Sequence, residues 1–201
     1  MKASPLSASK SLPMHNSLRL VFAPGFYLML AIITLLIPLK WCFAFLFAGL
    51  FHELCHFAAV RLCGGSVPLL HIGNNGATME AWDLPCKKAL LCTLAGPLGS
   101  LLLLPFARWY PRLALCAATQ ALFNLLPLAG LDGGHALHHI LHWLLPQSIA
   151  EKLCRYVQNG LLLACFATGI YCTFVLKLGL FPVLISITLI LKSTNGKIPC
   201  K

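Results

Sequence analysis

The run from Trp41 to Leu62 is apolar enough to cross a lipid bilayer, yet its middle carries His52, Glu53 and His56. An ionisable side chain at the centre of a transmembrane helix costs roughly 2.5 to 3.5 kcal/mol on insertion scales. The chain must therefore fold so that these side chains find partners away from lipid. Only five acidic residues are present, and besides Glu53 a second one, Asp132, closes another apolar stretch. Glu53 and Asp132 are accordingly candidates for one buried site.

The rest of the chain agrees with a bilayer rather than an aqueous solvent. Hydrophobic residues make up 59% and charged residues 10% of it, and the mean hydropathy is +0.83, which together describe an all-α polytopic membrane protein. The length leaves room for about six spans of ~20 residues. They are read at Leu20–Leu39, Trp41–Leu62, Ala89–Ala107, Leu113–Leu131, Tyr156–Phe174 and Leu178–Leu191, with Pro38, Leu39 and Lys40 alone separating the first two. Residues 1–19 read as a disordered cytosolic tail, 20–192 as the membrane domain with its core at about 41–134, and 193–201 as a second cytosolic tail. A cleaved signal peptide is the competing reading of the start. No clear small-x-small cleavage site follows the basic start before Trp41, and the apolar stretch is long enough to span, so a retained helix is favoured.

A formal net charge of +10 raises the question of nucleic acid, but no basic run with interleaved aromatics occurs. The lysines and arginines mark topology instead. Eleven of the fifteen fall in the N-terminal segment, the loops after spans two and four, and the C-terminus. The positive-inside rule then puts both termini in the cytosol. Spans two and four both run inward, so His52, His56 and Asp132 can meet in the cytosolic half of the bilayer. Only about 7.5 Å of helix rise separates His56 from Arg61, a depth that water can reach.

His52, Glu53, Leu54, Cys55 and His56 form a His-Glu-x-x-His quintet, which this composition produces by chance in roughly one chain in two hundred. At i and i+4 the two imidazoles project from one helix face, as two ligands of one tetrahedral ion must. Glu53 lies beside that face as a candidate general base. A catalytic zinc takes three protein ligands, and the stretch Asn124 to Gly134 offers Asp132 as the third. Gly133 and Gly134 beside it permit a broken helix end and close backbone approach.

With these two motifs in order, the sequence resembles the site-2 protease family of intramembrane zinc metalloproteases, whose signatures are His-Glu-x-x-His and Asn-x-x-Pro-x-x-x-x-Asp-Gly. Ala95-Gly96-Pro97 looks like that family's Ala-Gly-Pro element, and the resemblance runs from about Ala48 to Gly134. The layout most resembles the bacterial branch that processes sporulation factors. The resemblance implies one Zn2+ per chain on His52, His56 and Asp132, Glu53 as general base, and Asn124 near the substrate carbonyl. A side-chain amide in an apolar span also needs partners and can stabilise an oxyanion; interhelical bonding is its other reading. Implied too are a single-pass or membrane-tethered protein substrate, a bacterial cell membrane, and no nucleic-acid partner; the oligomeric state stays open. Ser100 departs from the asparagine of many family members. Two other functions compete: a zinc-handling transporter or sensor, and a catalytically silent relative.

Three further features complete the reading. Ser66–Gly73 and Ala77–Trp82 have extended character around an Asn75-Gly76 turn signal, so a membrane-associated β-hairpin is expected between helices two and three. Such a hairpin can pair with an unwound substrate, and Asn75, Gly76 and Pro127 are candidate substrate contacts. Ten cysteines without a Cys-x-x-Cys pair read as small apolar packers, Cys55 included. Gly96, Gly99 and Ser100 read as a small-residue packing face. His135, His138, His139 and His142 share one helix face, read as an interfacial amphipathic helix anchored by Trp143; metal binding by that face is the alternative, and His135 is also a candidate support for Asp132.

Overall fold

Proline favours extended backbone ahead of a helix, and Pro38 (φ −56°, ψ 137°) caps the start of α1, Leu39–Leu62. Along α1, Ala48, His52, His56 and Val60 recur every four residues and face inward. Leu46, Leu50 and Leu54, on the same period, face out, with Leu50 68% exposed. Large apolar side chains thus line the outward face of α1, the arrangement that suits lipid. The structure is a computed structural model that describes residues 19–22, 24, 27, 30, 31, 34, 35, 37–73, 76–82, 85–177 and 179–195.

The remaining helices are α2 (Cys86–Leu101), α3 (Pro111–Asn124), α4 (Asp132–Leu144), α5 (Gln147–Phe174) and α6 (Phe181–Asn195). A 3-10 turn, Leu104–Arg108, follows α2. Helices α1, α2 and α3 pack against one another, and α4 packs on α2. Ala48, Leu103 and Ala117 are fully or nearly buried at the meeting of α1 and α3, with Phe51, Leu113 and Cys116 around them. Gln120 Nε2 donates to the Phe45 carbonyl at 3.0 Å and ties α3 to α1. On the other flank α5 and α6 pair where Gly169 leaves room for Ser186 and Pro182. Leu189 of α6 then joins Leu128 and Leu131, covering the segment between α3 and α4.

Three helical stretches among the described residues are long and apolar enough to cross a membrane: Leu39–Leu62, Lys87–Arg108 and Gln147–Phe174. They contain the expected spans two, three and five, the last starting earlier than expected. Span four differs. Its helix stops at Asn124, and Leu125–Leu131 leaves helical geometry because Pro127 has no N–H to donate and Gly130 adopts φ 80°. Span six corresponds to α6, whose apolar part is Pro182–Leu191; α6 runs on to Asn195, into the expected tail. For span one, residues 24, 27, 30, 31, 34 and 35 are helical, 20–22 are in a strand and 37–39 lead into α1; residues 23, 25, 26, 28, 29, 32, 33 and 36, like 1–18 and 196–201 of the two tails, lie outside the described residues.

Arg19–Phe22 forms a strand, β1, where the end of the tail and the first helical turn were expected. It pairs in parallel with β2 (Ser66–Gly73), which pairs antiparallel with β3 (Gly76–Trp82). The physical reason is a free edge: β2 has one side unpaired by β3, and a short Leu-Val-Phe run of high β-propensity satisfies its backbone groups there. The register sets Gly73 opposite Gly76, so Gly76 belongs to β3 rather than to the turn; Asn75 lies outside the described residues.

Candidate metal centre

Four elements converge on one point. α1 supplies His52, Glu53 and His56; α2 lies behind the imidazoles; α3 ends at Asn124; and α4 begins at Asp132. His52 Nε2 and His56 Nε2 are 3.2 Å apart, and each lies close to the same carboxylate oxygen, Oδ2 of Asp132, at 3.0 and 3.2 Å. His52 is 4% exposed, while His56 and Asp132 are half-buried, so the group is only partly withdrawn from solvent. Asn124 Nδ2 stands 3.4 Å from His52 Nε2. The sequence-predicted residues His52, His56 and Asp132 are thus brought together with Asn124 at their margin. Glu53 is half-buried and near enough to act electrostatically on His56.

Proton accounting shows what the group is suited to hold. His56 Nδ1–H donates to the Cys92 carbonyl at 2.8 Å. The Ser100 hydroxyl donates to the Gly96 carbonyl at 3.1 Å, which leaves its oxygen to accept Nδ1–H of His52 at 3.0 Å. A neutral imidazole carries one proton, so both Nε2 atoms present lone pairs. Two lone-pair nitrogens and a carboxylate oxygen facing one another at 3.0–3.2 Å repel unless a proton or a metal cation lies among them. Ligands of a tetrahedral zinc at about 2.0–2.1 Å stand roughly 3.3 Å apart, and the observed separations are close to that. Among the described residues, His52, His56 and Asp132 are the one group of three or more such side chains that could hold a metal ion. Their donors, two imidazoles and one carboxylate, fit zinc.

Local packing explains why the sequence folds this way. A Cβ at Gly96 would strike the His56 ring, and one at Gly99 would strike Cys55 Sγ. The small face of α2 is therefore the bed on which the motif lies, and Cys55 faces that bed rather than the group. Cβ atoms at Gly133 and Gly134 would strike the carbonyls of Leu125 and Leu128. The two glycines let the first turn of α4 tuck beneath the broken segment and bring Asp132 to the imidazoles. At a helix N-terminus the carboxylate also meets a favourable dipole.

Two supporting groups were missed in the sequence. Ser100 was read as packing, but it holds His52; the signal available was its place in a position where relatives of the resembled family carry a polar side chain. The Cys92 carbonyl left no signal, because any residue has one. His135 lies near enough to Asp132 and His56 to interact electrostatically with both. Pro127 is half-buried in the broken segment.

A helical, membrane-type bundle around a buried His-His-carboxylate group defines the class of fold. Neither a protein-family model nor a curated protein matches the sequence. The chain is similar to a solved structure, the site-2 protease from Methanocaldococcus jannaschii, at 18% identity and a TM-score of 0.66, over 92% of this chain and 93% of that one. It shares that protein's fold.

Proposed function

We propose that this chain is an intramembrane zinc metalloendopeptidase that cleaves membrane-anchored proteins within or near their transmembrane segment, on the cytosolic side of a bacterial cell membrane. The observation that carries the reading is the convergence of His52, His56 and Asp132 on one point inside a site-2 protease fold, with Glu53 beside them. His52, His56 and Asp132 are the zinc ligands, one ion per chain. When bound, such an ion supplies Lewis acidity, activating water near neutral pH and polarising a carbonyl. Glu53 accepts the proton of the attacking water on its carboxylate and returns it to the leaving amine. Asn124, with its amide at the edge of the group, donates to the developing oxyanion. Six spans with both termini cytosolic and kinship with the sporulation-factor branch belong to the same proposal, as do substrate contacts from Asn75, Gly76 and Pro127 beside a β2–β3 hairpin.

The test is cleavage of a panel of single-pass membrane proteins by the purified chain and its Glu53→Gln variant at measured zinc content. The variant should keep zinc and lose at least about 100-fold in rate, the contribution typical of a general base. Equal cleavage by both would remove Glu53 from that role. Full zinc in the wild type without cleavage of any panel member would favour the metal-handling or silent readings, and a zinc-flux assay would separate those two.

A further inference from the structure

We infer that His138 and His142, one turn apart on α4, form a second binding site for a divalent transition-metal ion, distinct from the group at Asp132. Their rings lie 4.0 Å apart between centroids, inclined by 38°, on the i, i+4 spacing that directs two imidazoles to one ion. The Nε2 atom of His142 is buried and has no hydrogen-bond partner. A buried polar atom of this kind calls for a ligand, and the lone pair of an imidazole nitrogen beside a second imidazole suits zinc, copper or nickel rather than magnesium or calcium. Glu151 of α5 is near enough to interact electrostatically with His138 and contributes negative charge for an incoming cation.

The neighbouring residues favour the uncharged imidazole at His138. Burial, with the imidazoles of His142, His139 and His135 around it, pushes His138 down to about 4 against the opposing pull of Glu151. His139 turns its ring across that of His138, at 5.9 Å and 79°, and does not complete the pair. At 1.5 Å per residue, His138 and His142 stand roughly 9 to 15 Å along α4 from Asp132. One ion cannot serve both places.

The experiment counts zinc bound per chain in the purified full-length protein after equilibration with Zn2+ and dialysis. The wild type should hold two ions, His138→Ala/His142→Ala one, and His52→Ala/Asp132→Ala one. Equal metal content in the wild type and in His138→Ala/His142→Ala overturns the second site. Equal content in the wild type and in His52→Ala/Asp132→Ala counts instead against the proposed catalytic group, so the two failures are separate. Should the alanine pair fail to fold, His138→Gln/His142→Gln preserves size and polarity and must likewise lose one ion for the inference to stand.

Discussion

At the residue scale the group depends on two bonds made on the far side of its imidazoles. His52 gives its Nδ1 proton to Ser100, and His56 gives its own to the Cys92 carbonyl. Each bond fixes a tautomer and a ring orientation, and partners of this kind are worth about 10- to 100-fold in metal affinity. Ser100→Ala should therefore weaken zinc binding by that factor in a chelator competition, while the protein still inserts and folds. Ser100→Asn keeps an acceptor for Nδ1–H and should stay nearer to the wild type. Unchanged affinity in Ser100→Ala would show that helix packing alone orients His52. The three candidate ligands were legible in the sequence because ionisable residues in an apolar run are rare and costly. Ser100 was not, because a small hydroxyl residue in a helix also serves as packing, and only the facing ring distinguishes the two.

At the element scale the decisive feature is the interruption between α3 and α4. A straight helix through Leu131 would carry Asp132 past the imidazoles along the helix axis. Ending α3 at Asn124 and restarting at Asp132 turns the carboxylate back towards them, and Gly133 and Gly134 make the contact of the new helix with the Leu125 and Leu128 carbonyls possible. Gly134→Ala should displace that turn and lower the zinc content, because the obstacle is backbone and cannot swing aside. Gly160→Ala is the matched control: nothing lies within 4 Å of its added Cβ, and alanine is the better helix former by roughly 0.5–1 kcal/mol, so thermal stability should hold or rise. Metal content that is the same in Gly134→Ala as in the wild type would mean the segment yields more easily than its packing implies. The sequence signalled a break at Asp-Gly-Gly. It did not signal that the break begins at Leu125, since the leucines around Pro127 prolong an apolar run whatever their backbone does.

At the scale of the whole molecule, many large apolar side chains face outward, Phe43 being 69% exposed, while Ala48, Ala117 and Ala121 are fully buried where helices meet. The proposed even number of spans, with basic loops on one side, would place both ends in the cytosol, and reporter fusions at each terminus should read so. A fusion reporting from the opposite side at one end only would require an odd number of spans. Arg19–Phe22 illustrates the limit of reading such a chain locally: its β1 pairing with β2 joins residues far apart in sequence, and no local pattern announces a parallel partner. What the sequence alone determined was the solvent, the helical class and the residues that could hold a metal, because hydropathy and the spacing of rare ionisable groups are local properties. Where α3 ends, which donor holds each imidazole and how β1 joins the sheet were decided only by the tertiary structure, because those depend on backbone groups that every residue carries and that only three-dimensional packing brings together.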